Sequence, residues 1–290
     1  MTRTIVVFSL EAWDGVWRRN QYLIDGLLRA DPELRVVFVE PPRDVLHDLA
    51  SRRRPSRGAG LRTAPGYEGR LHLFGPTKWL PRVVGAAADA LLRRSVRRAL
   101  RSIGCTDAII WDNDPAWAGF VETSPWPALY DMTDDWLVAN RNSRQHARLV
   151  AEEEILMRDC RAIIVCSPAL LASRRERRPD TVLIQNAVDV ARYRRPEPRP
   201  EDLPETHYAI YVGTLHEDRL DIDLLLRTAR ALREAGSVCV LVGPNALNAE
   251  NTAVLAAEDG ILLLGPRPHG EVPGYLQHAH ALIVPHIVDE

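Results

Sequence analysis

The residues of this 290-residue chain best suited to chemistry are two acidic clusters, one aromatic loop and three glycine turns. Tyr130-Asp131-Met132-Thr133-Asp134-Asp135-Trp136 sets three carboxylates and two aromatics directly after an apolar run. Neighbouring carboxylates repel unless they cap a helix, hold a cation or face polar substrate groups. Capping explains one of them, which points to a site role for the cluster. Asp112-Asn113-Asp114 follows another such run. A D-x-D triplet can coordinate a divalent cation and a nucleotide diphosphate, though short acidic triplets are also common in βα loops and at helix N-termini. Between Leu10 and Asn20, Trp13 and Trp17 are candidates to stack on a sugar or lipid and Arg18 to hold a phosphate; packing against the following helix is the alternative for both rings.

Farther along, Gly213-Thr214-Leu215 leads toward a helix opened by Arg219 and Asp221. A glycine turn into a helix N-terminus with an arginine close by forms a diphosphate cradle. Val242-Gly243-Pro244 and Leu264-Gly265-Pro266-Arg267 repeat the arrangement. Three such turns in register along one sheet edge make the floor of a cleft. The chain has no G-x-G-x-x-G, P-loop or G-x-S-x-G motif, and its histidines lack metal-ligand spacing. His269 and His286 read as surface or loop residues.

Such loops need strands to carry them. Apolar, β-branched runs at 4–9, 35–39, 71–74, 108–111, 128–130, 162–166 and 181–184 alternate with helical spacing, as at Leu23, Leu27 and Ala30. Buried strands joined by helices make a parallel sheet covered on both faces, with ligands at the carboxyl ends of the strands. Ser167-Pro168 is a helix start, serine as N-cap and proline at the first helical position. The pattern breaks at 192–206, where four prolines in a charged stretch read as a linker. A second series follows, with strands at 208–212, 238–242, 261–264 and 281–284 and helices near 220–234 and 272–277. The expected fold class is α/β with two Rossmann-like domains, 1–191 and 207–290. The second is expected to be incomplete, because its last strand lacks a covering helix.

Hydrophobic residues make up 46% of the chain and charged residues 26%, which excludes a disordered or collagen-like chain. No apolar run approaches the roughly 20 residues of a membrane span, and Met-Thr-Arg-Thr has no signal-peptide anatomy. The four cysteines lack paired spacing and read as reduced residues of a cytosolic protein. The net charge of −2 hides an asymmetry: fourteen basic residues oppose four acids over 43–101, whereas five oppose twelve over 205–290. Arg93, Arg94, Arg97, Arg98 and Arg101 fall on one helical face with Leu92, Val96, Ala99 and Ile103 on the other. With Lys78-Trp79 and Arg52–Arg54 they suggest peripheral, salt-sensitive attachment to the inner face of the cell membrane. The alternative is that they pair with acids on neighbouring helices. No nucleic-acid-binding motif is present.

Taken in order, these segments resemble the retaining GT-B glycosyltransferases, in particular the bacterial group that includes teichuronic acid and other cell-surface polysaccharide glycosyltransferases. Tyr130-Asp-Met-Thr-Asp-Asp-Trp136 is similar to that group's YDxxDDW, Cys166-Ser-Pro-Ala-Leu170 to CSxxL, and Asn186-Ala-Val-Asp189 to NGVD. Tyr211-Val-Gly-Thr-Leu215 with Arg219 is similar to the Y-x-G-x-(I/L)…(R/K) turn, and Ala281-Leu-Ile-Val-Pro285 to ADVxxxP. Ala187 departs from the usual glycine, and Thr214 from the glycine or arginine of many relatives.

The resemblance implies two domains facing across a cleft, the first for the acceptor and the second for a nucleotide-sugar donor. It implies no metal and no cofactor besides that donor. Catalytic candidates are Arg219, which would neutralise the departing diphosphate, and Asp134. Gly213, Thr214, Gly243, Pro244, Gly265 and backbone near Arg267 would bind donor; Trp13, Arg18, Asn113, Asp134 and Asp135 lie on the acceptor side. The glutamate that holds the ribose in this family would lie beyond Glu290. Two alternatives stand: a metal-dependent transferase built on Asp112–Asp114, and a non-catalytic sugar-nucleotide-binding or partner-binding module.

Overall fold

The structure, a computed structural model, describes residues 3–15, 17–50, 54–80, 86–135 and 143–288. Trp136 of the acidic cluster, with Arg52, Arg53, Pro81 and Arg82 of the basic region, lies outside the described residues. The chain divides into two units, Met1–Ala187 and Val188–Glu290.

The first unit is built on an eight-stranded sheet. Its strands are β1 (Thr4–Phe8), β2 (Arg35–Val39), β3 (Gly60–Thr63), β4 (Leu71–Gly75), β5 (Ile109–Asp112), β6 (Ala128–Met132), β7 (Ala162–Val165) and β8 (Val182–Leu183), in spatial order β8-β7-β6-β5-β1-β2-β4-β3. All pairs are parallel except β3–β4. Side chains alternate between two cores, Val6 and Phe8 in one and Val7 in the other, as a strand covered on both faces requires. Besides a short helix at Val45–Ala50, the helices are α1 (Arg19–Ala30), α2 (Ala86–Ser102), α3 (Ala118–Glu122), α4 (Ser143–Asp159) and α5 (Pro168–Arg175). At the start of α5, Ser167 Oγ accepts the Leu170 N–H at 3.2 Å and Pro168 takes the first turn, as the sequence predicts.

The second unit carries a four-stranded parallel sheet of β9 (Tyr208–Val212), β10 (Val238–Val242), β11 (Ile261–Gly265) and β12 (Ala281–Leu282), in order β11-β10-β9-β12. Helices α6 (Val190–Arg194), α7 (Ile222–Glu234), α8 (Ala249–Ala256) and α9 (Val272–Gln277) accompany it. The Pro-rich segment expected as a linker over 192–206 begins inside α6 and lies against this unit. Leu203 is buried, Asp202 meets Arg267 and Tyr275, and Gln277 Nε2 donates to the Tyr193 and Arg195 carbonyls. Proline denies the segment regular structure, but side chains fix it in place.

The α2 arginines do not form one solvent face. Arg94, Arg98 and Arg101 are exposed, whereas Arg93 and Arg97 are half-buried against α3: a Cβ on Gly119 would stand 2.7 Å from Arg93 Nη1, and Arg97 Nη2 donates to Thr123 Oγ1 at 2.6 Å. A span of nine residues sweeps too far around a helix for a single row. None of the five pairs with a carboxylate among the described residues. Lys78 is buried on Asp44, and the cation beside the exposed Trp79 is Arg57, 5.0 Å from the ring centroid.

Candidate functional site

In an open parallel sheet, a ligand crevice forms at the carboxyl ends of the strands where the winding direction reverses. In the first unit that point lies between β1 and β5, and three polar residues converge on it. Asn20, in the first turn of α1, donates to Ser9 Oγ beyond β1 at 3.3 Å. Asn113, just past β5, donates to the Asp131 carbonyl of β6 at 2.9 Å. Both amides are buried, and among the described residues neither Asn20 Oδ1 nor Asn113 Oδ1 has a hydrogen-bond partner. Buried acceptors without donors are costly, and a hydroxyl-bearing ligand or an ordered water would satisfy them.

Arg19 and Asp131 hold this edge together. The guanidinium meets the fully buried carboxylate in two hydrogen bonds of 3.1 and 3.2 Å, and Trp111 Nε1 adds a third donor at 3.2 Å. Arg19 Nη1 also reaches the Gln185 carbonyl and Asn186 Oδ1, each at 3.2 Å. Asn186-Ala187-Val188-Asp189 is thus split by function: Asn186 bonds into the first unit, and Asp189 caps α6 in the second by accepting the Arg192 N–H.

The acidic clusters separate into distinct tasks. Asp134 is exposed, and its Oδ1 accepts the Asp135 N–H at 2.9 Å. Asp135 pairs with Arg174 at 3.0 Å, and Arg174 also lies 3.1 Å from the buried Glu153. Asp114 Oδ1 caps the turn at Pro115–Trp117 by accepting the Ala116 N–H. Asp112 is fully buried; burial pushes its carboxyl well above the ordinary range, and the charge of Asp114 adds to the push. Among the described residues no group of three His, Cys, Asp or Glu side chains is placed to hold a metal ion.

Trp13 is half-buried, packed edge-on against Phe38 with centroids 5.1 Å apart and close to Tyr67 and Trp17. Its backbone N–H donates to Glu40, which Arg62 grips through two hydrogen bonds of 2.8 and 2.7 Å. Arg18 faces Glu11 and Asp14 at 3.5 and 3.4 Å on the surface.

The second unit reverses its winding between β9 and β12, and there the edge is made of backbone. The Gly213 N–H donates to the Val242 carbonyl and the Gly243 N–H to the Gly265 carbonyl, each at 2.9 Å, so the three glycines stand in register. Gly243 has φ +146°, and a Cβ there would lie 1.9 Å from Gly213 O. No other residue fits. The Pro244 carbonyl accepts the Leu215 N–H, and Leu215–His216 pairs with Asn245–Ala246, tying the first two turns together.

Arg219 rises from this edge. It is exposed, and among the described residues its side chain has no hydrogen bond or ion pair, while its carbonyl is held by the Ile287 N–H. Asp221 caps α7 by accepting the Leu224 N–H at 2.8 Å. Tyr211 Oη donates to the Thr214 carbonyl and lies 3.3 Å from His286 Nε2. Burial raises the Tyr211 phenol and the Arg219 charge opposes this. Arg267, by contrast, is fully engaged with Asp202, Tyr275 Oη and the Leu264 and Pro266 carbonyls. It shapes the loop after β11 instead of offering a free guanidinium.

Sequence reasoning passed over Arg19, Asn20, Asp131 and His286. Arg19 and Asn20 sit one and two residues past the arginine it chose. Asp131 was legible as a carboxylate but not as one facing inward. His286 acquires its place only because β12 returns beside β9.

The fold is that of the GT-B glycosyltransferases. HepE of Anabaena, solved with UDP and glucose, is 15% identical, with a TM-score of 0.60 over 97% of this chain and 73% of that one. WaaG, a glycosyltransferase involved in lipopolysaccharide biosynthesis, is 10% identical, with a TM-score of 0.64 over 98% and 75%. A UDP-forming α,α-trehalose-phosphate synthase from Burkholderia xenovorans is 12% identical, with a TM-score of 0.62 over 98% and 78%. No protein-family model and no curated protein matches the chain.

Proposed function

We propose that this chain is a glycosyltransferase that moves a hexosyl group from a nucleotide-sugar donor to a hydroxyl of a glycan, lipid-linked or small-molecule acceptor, with retention at the anomeric carbon and without a metal ion. The observation that carries the reading is the second unit's edge: glycine backbone at three adjacent strand ends beside an arginine with no hydrogen bond or ion pair among the described residues. Bare backbone lets a phosphate approach closely, and an unneutralised guanidinium supplies the charge a departing diphosphate needs. Arg219 therefore stabilises the leaving group as the glycosidic bond breaks, an electrostatic contribution available before the reaction begins. Gly213, Thr214, Gly243, Pro244 and Gly265 form the cradle, with Arg267 holding the last turn.

On the acceptor side, the unpartnered carbonyl oxygens of Asn20 and Asn113 accept hydrogen bonds from sugar hydroxyls, and Arg19–Asp131 fixes the floor. Asp134 is the exposed carboxylate available to the reacting hydroxyl. The exposed arginines of α2 favour an anionic membrane surface, where a lipid-linked acceptor of cell-surface polysaccharide synthesis is presented. No described helix is long and apolar enough to cross a membrane. The test is UDP-sugar binding and hydrolysis by the purified chain, with and without a chelator. Binding with turnover unaffected by chelation is expected. Binding without turnover assigns a non-catalytic module, and turnover lost on chelation assigns the metal-dependent alternative.

A further inference from the structure

At the opposite, amino-terminal end of the first unit's sheet is a cavity of about 210 Å³. It is lined by Arg97, Leu100 and Arg101 of α2, Cys105 and Thr106 leading into β5, Phe120 of α3, and 123–126 leading into β6. Strands of four or five residues put it roughly 15 Å from the carboxyl edge, so it is separate from the acceptor-side residues. We propose that it binds a small soluble aromatic or short-acyl anion, a carboxylate or phosphate ester.

Three observations fix that chemistry. The first is size. A 150 Å³ apolar cavity accommodates benzene, so this one has room for one ring and an acidic substituent, and not for a nucleotide. The second is the wall: Leu100, Phe120, Pro125 and Trp126 are apolar or aromatic, and Trp126 backs onto the buried core. The third is charge. Arg101 is exposed with no hydrogen bond or ion pair among the described residues. Arg97 is held over the Phe120 ring, 5.1 Å from its centroid, by one nitrogen on Thr123 Oγ1, which leaves its Nε and second Nη for a ligand.

The nearby carboxylates leave this charge standing. Glu122 pairs with Arg158 at 3.1 Å, and among the described residues Asp107 forms no ion pair with Arg97 or Arg101. Ser124 Oγ accepts the Trp126 N–H at 3.2 Å, so its own hydrogen can be donated to an anion. One fixed arginine, one arginine unpaired among the described residues and a hydroxyl at the mouth of an aromatic pocket recognise an anionic group on a flat apolar body.

Titration with phenyl phosphate, benzyl alcohol and phosphatidylglycerol vesicles, read by indole N–H shifts in NMR, tests this. Phenyl phosphate is expected to bind saturably at millimolar concentration or tighter and to move the indole signal that is missing from the Trp126→Phe protein. Arg101→Ala is expected to weaken it by about tenfold, the scale of one charge-assisted contact. Arg94→Ala, exposed on the same helix but outside the cavity, is expected to leave it unchanged. Equal binding of benzyl alcohol, equal loss in Arg94→Ala, or no saturation overturns the proposal. A response to vesicles alone assigns the cavity to lipid and overturns it as well.

Discussion

The carboxyl edges of the two sheets solve the problem of exposing polar groups in opposite ways. The first unit uses long side chains that neutralise one another: Arg19 with Asp131, Arg174 with Asp135 and Glu153, Arg62 with Glu40. The second uses glycine backbone and, among the described residues, leaves the Arg219 guanidinium without a partner. A neutralised, interlocked edge has a fixed shape, which suits a neutral, hydroxyl-rich ligand read by hydrogen bonds. A bare backbone edge with a spare positive charge suits an anion. The difference extends to bulk charge, basic over 43–101 and acidic over 205–290.

If the first edge is held by its ion pairs, breaking one should cost stability before it costs specificity. Asp131→Ala leaves the Arg19 guanidinium and the Trp111 N–H without their carboxylate in a buried setting. Losing one partner of a buried pair costs about 3–5 kcal/mol, so urea denaturation should show a fall of that size. A change under about 1 kcal/mol would mean that the pair is not structural.

The second edge should behave inversely. Arg219→Ala changes an exposed side chain and removes no described hydrogen bond or ion pair, so the urea midpoint should stay within error of the parent. Nucleotide-sugar turnover should fall by about 2–4 kcal/mol in transition-state stabilisation, the scale of one preorganised charge contact. Loss of stability with retained turnover would reverse the comparison.

The two edges were also unequally legible in the sequence. The glycine turns could be read directly, because only glycine permits the backbone approach at Gly243, and the strands at 208–212 and 238–242 coincide with β9 and β10. The antiparallel edge strand β3 escaped, since Gly60-Leu-Arg-Thr63 is short and half-polar. So did α8, though two parallel neighbours demand a crossover between them. The first unit's edge was legible as a run of polar residues but not in its arrangement. Adjacent carboxylates announce a site, yet which of Asp131, Asp134 and Asp135 turns inward depends on the side-chain alternation of β6 and on arginines 112 and 39 residues distant. The arginine surface of α2 was read too simply: a helical wheel shows a face but not that α3 covers part of it.

A gentler probe of the first edge is pH. Asp112 lies on the same strand end with one oxygen lacking a hydrogen-bond partner, and burial raises its carboxyl well above the ordinary value of about 3.8. The folded state then holds a proton that the unfolded chain has released, so this residue's contribution to stability is full below that value. It is lost as pH rises toward the folded-state value, by up to about 1.4 kcal/mol per pH unit. Asp112→Asn keeps the shape and removes the titration. Its stability–pH curve should therefore be flatter than the parent's above pH ~4, and it should be the more stable protein at neutral pH. Identical slopes would show that Asp112 is ionised in the fold.

The smallest expected effect tests the charge difference between the units. Arg94 and Arg98 are exposed, unpaired among the described residues, and adjacent to Leu91, which is 49% exposed. Among the described residues, then, these two do not take the alternative role of ion pairing with neighbouring helices. Near an anionic leaflet each basic residue contributes about 1 kcal/mol, and the attraction decays within a Debye length of about 8 Å at physiological salt. Arg94→Ala with Arg98→Ala should thus weaken sedimentation with phosphatidylglycerol vesicles by about 2 kcal/mol, or roughly thirtyfold, at low ionic strength. The difference between parent and variant should shrink as salt is added, and phosphatidylcholine vesicles should bind neither protein. Arginine-to-alanine changes at Arg227 and Arg230 in the acidic second unit supply the contrast. There the surrounding carboxylates cancel the field, and vesicle binding should not move. Equal losses from both pairs would show that net charge governs the interaction and that α2 has no special role.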